Sequence, residues 1–252
     1  MKNYMDLTGR VAIVTGASSG LGYAYAIALA ENGAKVAAFA RREEKLLKLK
    51  AEIEAAGGEC LPVVCDVTQE AQIVSGVQKV IDIFGKIDIL VNNAGSMAYC
   101  PTTQLTLEAW NKVVDTSITA YFLMARECAK NMIRNHYGRI INTASMYGRI
   151  ASFHHPILAY NTTKGAVPNF TRGLAQEWAA DGITVNAIGP GEFPSEMMVF
   201  DEAALAELKK RCPIARPGKV EELCGQLLLF ASENAAYTTG QTIYIDGGWT
   251  SV

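Results

Sequence analysis

Arg10-Val11-Ala12-Ile13-Val14-Thr15, followed at once by Gly16-Ala17-Ser18-Ser19-Gly20-Leu21-Gly22, is the run on which the fold of this chain turns. An unbroken apolar row reads as a strand buried on both faces, the kind that parallel sheets use. The glycines end it, and an alanine-rich stretch to about Asn32, closed by Gly33, reads as a helix with a glycine C-cap. A glycine turn between strand and helix leaves backbone N–H groups free and points the positive end of the helix dipole at the turn. Such a place favours a pyrophosphate. The spacing is G-x-x-x-G-x-G, not the common G-x-G-x-x-G, and a tight turn alone would also call for glycine. The strand before and the helix after tip the balance to a dinucleotide.

Working outward, strands are expected at Lys35–Ala40, Glu59–Val64, Ile87–Val91, Arg139–Thr143, Thr184–Ile188 and Gln241–Ile245. Helices are expected at Glu43–Ala56, Gln69–Phe84, Thr106–Arg134, Ala159–Ala180, Asp201–Arg211 and Val220–Ser232. Strands that alternate with helices call for a parallel sheet covered on both faces. The expectation is α/β: a single doubly wound Rossmann-type domain over 1–252, with a seven-stranded parallel sheet and no linker or repeat.

At 252 residues and half hydrophobic, the chain can bury a substantial core. A net charge of −2 argues against nucleic acid, which wants a basic face. Cys60, Cys65, Cys100, Cys128, Cys212 and Cys224 form no C-x-x-C pair and have no His-rich partner. Reduced thiols are therefore expected, with no metal site and no disulfide framework. No apolar run approaches the ~20 residues of a membrane span, and the polar start shows no signal peptide. A soluble cytoplasmic protein with no membrane partner is the expectation.

Tyr160-Asn161-Thr162-Thr163-Lys164 carries the chemistry. The i, i+4 spacing sets phenol and ammonium on one helix face, a turn apart. A free tyrosine titrates near pH ~10, and a fixed cation beside it should pull it toward the range of a general acid/base. Alone, the pair could equally be a surface aromatic beside a solvated lysine. At the second strand's end stand Ala40-Arg41-Arg42, where an acid would bind a ribose 2′-hydroxyl and arginine suits a 2′-phosphate. That favours NADP(H) over NAD(H), although both arginines could simply open the next helix. Asp66, before Val67 at the third strand's end, could accept from an adenine amino group or merely cap a helix. Asn92-Asn93-Ala94-Gly95 offers amides and close backbone approach where ligands bind in such sheets. Ser145 ends the fifth strand and projects into the same crevice.

Together these residues show that the chain resembles the short-chain dehydrogenases/reductases along essentially its whole length. The elements that carry the resemblance are Thr15-Gly16-x-x-x-Gly20-x-Gly22, Asp66, Asn92-Asn93-Ala94-Gly95, Ser145, Tyr160-x-x-x-Lys164, Asn186, Pro190-Gly191 and Asp246-Gly247-Gly248. The resemblance implies that Ser145 hydrogen-bonds the substrate oxygen, that Tyr160 transfers the proton, and that Lys164 binds the nicotinamide ribose and lowers the tyrosine pKa. It also implies that Ile188 and Ser195 contact the nicotinamide end, and that the protein is a homotetramer built through its long helices and the tail near Gln241 to Trp249. Gluconate-type sugar-acid dehydrogenases look similar at Met5–Arg10 and at Gly189–Phe193. Hydroxysteroid dehydrogenases and 3-oxoacyl-carrier-protein reductases share the scaffold and stay open as alternatives.

Two positions depart from the family pattern. Ser117 stands where a W-x-x-V-x-x-x-N-like pattern usually places an asparagine whose carbonyl holds a relay water. A serine hydroxyl can hold a water but is shorter. If that loss matters, the chain would be a weakly catalytic or non-catalytic cofactor-binding protein. Pro168, inside the catalytic helix, cannot donate to the carbonyl of Lys164, so a kink is expected there. The resemblance implies that loops 147–158 and 192–211 set specificity. Arg149, His154 and His155 could receive a sugar-acid carboxylate, while Phe193, Met197, Met198 and Phe200 could cover an apolar substrate.

Overall fold

The computed structural model describes residues 3–152, 155–194 and 202–251. Its strands are β1 (Val11–Thr15), β2 (Lys35–Ala40), β3 (Glu59–Val64), β4 (Ile89–Asn92), β5 (Gly138–Thr143), β6 (Ile183–Pro190) and β7 (Thr242–Ile245). Its helices are α1 (Gly20–Glu31), α2 (Glu43–Ala55), α3 (Glu70–Phe84), α4 (Leu107–Val114), α5 (Ala120–Arg134), α6 (Leu158–Trp178), α7 (Glu202–Arg211) and α8 (Glu221–Ala231). The strands form one seven-stranded sheet in the order β3-β2-β1-β4-β5-β6-β7, with every pair parallel. The expected α/β architecture is the one observed.

β1 is buried at all five positions because both of its neighbours and both layers of helices cover it. Val14 sits beside Ala38 of β2 on one side and Val91 of β4 on the other. One apolar layer joins α1, α2 and α8 to the sheet; the opposite layer joins α3, α5 and α6. From β1 the chain winds outward in one direction to β3, then returns and winds the other way from β4. The connections therefore part at the carboxyl ends of β1 and β4, which opens a crevice there.

The expected long helix of residues 106–134 is interrupted. Between α4 and α5, Asp115–Thr119 makes a π-helical turn, in which the Ala120 N–H reaches back to the Asp115 carbonyl. A helix widened by one residue at a single turn often marks a functional site, and Ser117 lies in this one. α6 continues through Pro168, because Phe170, Leu174 and Trp178 beyond it pack into the sheet's apolar layer. The Lys164 carbonyl, which Pro168 cannot serve, faces Gly148; a Cβ there would stand 2.3 Å from that oxygen.

Sheet and catalytic helix are also tied by polar groups. Asn92 Nδ2 of β4 donates to Asn142 Oδ1 of β5 at 3.0 Å, and Asn142 Nδ2 donates to Thr171 Oγ1 of α6 at 3.0 Å. All three residues are fully buried. A buried polar group without a partner costs about 1–3 kcal/mol, so Asn142→Ala is expected to destabilise the fold by about 2–4 kcal/mol in urea unfolding. A loss below about 0.5 kcal/mol would show that this chain of bonds does not hold the layers.

Candidate active site

The glycine turn is shaped by the backbone it rests on. Gly16 and Gly20 have positive φ values of 68° and 55°, a conformation that side chains disfavour. A Cβ on Gly22 would lie 2.4 Å from the Gly16 carbonyl oxygen and 2.5 Å from Asn93 Nδ2. The turn closes on itself and on β4's end, so no larger residue fits there. Thr15 fastens the two together: its hydroxyl accepts from the Asn93 and Ala94 N–H groups at 2.9 and 3.1 Å. Asn93 Nδ2 in turn donates to the Thr15 carbonyl at 3.1 Å.

Helix α1 starts at this turn without a side-chain cap and with no acid in its first turn. By contrast, α2, α3, α4, α7 and α8 each open with glutamates. An uncapped N-terminus free of acid is suited to an anion. Arg42 leans over it, donating through Nη2 to Ser18 Oγ at 2.9 Å and to Ser19 Oγ at 2.7 Å. Arg41 lies toward Asp66 instead. Burial pushes the Asp66 carboxyl up, but bonds from Thr68 and the charge of Arg41 outweigh it and hold it below its usual value. Oδ1 of Asp66 takes both the Thr68 N–H, at 3.0 Å, and the Thr68 hydroxyl, at 2.8 Å. Asp66 thus shapes a turn ahead of α3 rather than capping it, since Gln69 holds the cap position. Val67 and Ile188 turn their side chains into the apolar core. Gly191 is pressed against β7, where a Cβ would come within 2.5 Å of Asp246 Cα.

The structure draws Ser145, Tyr160, Lys164 and Ser117 to one place. Ser145 follows β5 and begins a short 3₁₀ turn, its hydroxyl accepting the Tyr147 N–H at 3.1 Å. Its side chain also lies near enough to the Tyr160 phenol to draw that phenol's pKa down. Lys164 is buried, and its Nζ donates to the Thr143 carbonyl at 2.7 Å and to the Tyr121 hydroxyl at 3.3 Å. Gly95 faces both remaining groups: a Cβ there would stand 3.6 Å from Ser117 Oγ and 3.9 Å from Lys164 Nζ.

The electrostatics differ from the expectation that Lys164 draws the phenol down. Burial pushes Tyr160 up to about 12, partly countered by Ser145, and Glu192 and Tyr99 push it the same way. Burial alone pulls Lys164 down to about 7. Nζ stands 5.7 Å from the Tyr160 ring and spends its bonds on Thr143 and Tyr121. Loss of hydration penalises both charged forms, and at this separation the lysine does not offset it.

Two features escape a reading of the sequence. One is Tyr121, which looks like an ordinary core aromatic of a helix; only its place four residues after Ser117 hints at a shared face. The other is a polar wall. The Tyr147 hydroxyl donates to Glu192 Oε1 at 2.6 Å, and the Glu192 charge is felt at Tyr99, Tyr147 and Tyr160 alike. Arg149 turns away to the Tyr244 ring and Thr250, and His155 lies edge-on to Tyr99. Ser195, His154, Met197, Met198 and Phe200 lie outside the described residues.

Comparison with known proteins adds an independent line. The chain matches the family described as short chain dehydrogenase over residues 10–205. A gluconate 5-dehydrogenase of Gluconobacter oxydans is 36% identical over 248 residues, covering 97% of this chain and 96% of that protein. A 3-oxoacyl-[acyl-carrier-protein] reductase of Synechocystis sp. is 38% identical over 245 residues, covering 96% and 97%. The crystal structure of a gluconate 5-dehydrogenase from Burkholderia cenocepacia, in complex with NADP and tartrate, superposes with a TM-score of 0.94 at 35% identity, covering 99% of this chain and 98% of that one. Among the described residues, no helix is long and apolar enough to cross a membrane. With a matching family, full-length relatives and one fold throughout, the chain belongs to the short-chain dehydrogenase/reductase family, oxidoreductases that act on CH–OH groups.

Proposed function

We propose that this protein transfers hydride between NADP(H) and a secondary alcohol or ketone of a polyhydroxylated small molecule, a sugar acid such as gluconate foremost. The observation that carries the reading is the grouping of Ser145, Tyr160 and Lys164 beside an uncapped, acid-free helix N-terminus. The residues present fit the cofactor. Gly16 to Gly22, with Ser18, Ser19, Gly20 and Leu21 between them, would hold the pyrophosphate; Asn93, Ala94, Gly95 and Lys164 would hold the nicotinamide-side ribose. Asp66 and the Val67 backbone would border the adenine, and Pro190 and Gly191 the nicotinamide. Hydride transfer is the chemistry that a nicotinamide bound there would supply. Ser145 orients the substrate oxygen, and Tyr160, held as phenol at neutral pH, donates its proton to that oxygen in the reducing direction.

Arg41 and Arg42 favour NADP(H) over NAD(H): no carboxylate ends β2, and the Arg42 fork is already anchored over the phosphate turn by Ser18 and Ser19. The wall of Tyr99, Tyr147 and Glu192 favours substrate hydroxyls over a steroid ring or acyl chain, since burying a carboxylate against hydrocarbon is costly. The gluconate-acting relatives support the same choice. A substrate carboxylate would lie away from Glu192.

Exposed apolar side chains on α4, α5 and α6, with Leu107 at 73%, Phe122 at 46% and Leu158 at 43%, support assembly into a tetramer through these helices. Sedimentation at micromolar concentration should show about four copies per particle; a monomer would refute the assembly.

Two substitutions test the chemistry. Tyr160→Phe should lower turnover with a keto-sugar acid by at least about 100-fold while NADPH binding, read by fluorescence titration, changes less than about twofold. If the unaltered protein binds NADPH and reduces no member of a panel of keto-sugar acids, ketosteroids and acyl ketones, the alternative of a non-catalytic cofactor-binding protein stands. If ketosteroids or acyl ketones outperform the keto-sugar acids, the substrate assignment fails.

For cofactor choice, Ala40→Asp should cut kcat/KM for NADPH by about tenfold and raise it for NADH. Arg42→Ala should produce only the loss. Equal efficiency with both cofactors in the unaltered protein would overturn the preference.

A further inference from the structure

We propose that Tyr121 is a positioning residue that holds Lys164 in place and in its ammonium form; this rests on the reading above that Lys164 serves the active site. Tyr121 is 1% exposed, on the first turn of α5 directly after the π-helical turn. Its hydroxyl donates to the Thr143 carbonyl at 3.1 Å and accepts from Lys164 Nζ at 3.3 Å. Lys164 Nζ also donates to that carbonyl, at 2.7 Å. The three groups form a closed triangle at the carboxyl end of β5.

An ammonium buried this deeply has lost its water and needs acceptors in exchange. Thr143 supplies one oxygen and Tyr121 the other, with its ring 5.4 Å from Nζ as a weaker third partner. Two of the three N–H bonds are thereby aimed at the protein, which leaves the third for the crevice beside Gly95. Ser117 borders that same space, yet its Oγ is fully buried with no protein partner and does not reach the amine. A serine is too short for the task, so the longer side chain one turn on performs it. Among the described residues the titratable groups that face Lys164 are Tyr160 on its own helix and Tyr121 on α5; β5 offers only the Thr143 carbonyl, and Tyr25 lies beyond Tyr121.

The sign of the effect follows from the donor arrangement. The Tyr121 oxygen accepts from Nζ, which favours the ammonium and opposes burial. Removing it should push the Lys164 midpoint further down, so that the cation is lost at lower pH. A Tyr121 that merely fills the core would leave that midpoint unchanged when only its oxygen is removed.

The test uses the full chain with Tyr121→Phe, which keeps the ring and its packing. The Lys164 titration would be followed by NMR on protein labelled with ¹³Cε-lysine. We expect its midpoint to fall by about one pH unit or more, kcat to fall about tenfold and KM to stay within about twofold. The limb of the pH–rate profile that reports Lys164 should move to lower pH by the same interval. Ser117→Asn in the Tyr121→Phe background should return the midpoint toward its original value, because an amide carbonyl at 117 is longer and can accept from Nζ. An unchanged midpoint in Tyr121→Phe overturns the proposal, and a failure of Ser117→Asn to restore it overturns the part assigned to the short serine. Should the midpoint move while even the unaltered protein turns over no substrate, the positioning role of Tyr121 is supported and the proposed function alone is refuted.

Discussion

The site depends on a bond pattern that fastens two strand ends together. The Thr15 hydroxyl accepts the Asn93 and Ala94 N–H groups and lies 3.3 Å from the Val91 carbonyl, to which it donates. One buried hydroxyl thus satisfies three backbone groups where β1 and β4 part. Everything at the crevice is referenced to this junction. The glycine turn rests on Asn93, Gly95 faces Ser117 and Lys164, and the Asn92–Asn142–Thr171 chain carries the same alignment across to α6. A parallel sheet leaves its strand ends unpaired at the edge, and here those ends are joined by side chains instead of by further sheet.

The second organising constraint is the cost of a buried amine. Lys164 is held in a site that favours its neutral form, and burial pulls it down to about 7. What keeps the ammonium viable is a carbonyl and a phenol fixed by two other elements. The phenol of Tyr160 meets the opposite pressure and is held protonated. Loss of hydration thus favours the neutral form of both groups, the phenol of Tyr160 and the amine of Lys164. The Glu192 charge raises the phenol further, and the Tyr147 hydroxyl holds Glu192 in position.

Much of this was legible in the amino-acid sequence because it is local or periodic. Unbroken apolar runs ended by glycine, asparagine or serine, alternating with amphipathic stretches, determined a parallel sheet and its strand count. Glycines at 16, 20 and 22 between a strand and a helix determined a tight turn at a helix N-terminus, and the i, i+4 spacing of Tyr160 and Lys164 determined that they share a helix face. Only the tertiary structure decided what those side chains meet. The sequence spacing suggests a tyrosine acidified by its lysine. In the fold the lysine turns to Thr143 and Tyr121, which lie 21 and 43 residues away along the chain, and burial dominates both groups. The Tyr147–Glu192 pair, 45 residues apart along the chain, was hidden for the same reason. Periodicity reports which face of an element is apolar, whereas hydrogen-bond partners and dehydration arise from elements brought together only when the sheet closes.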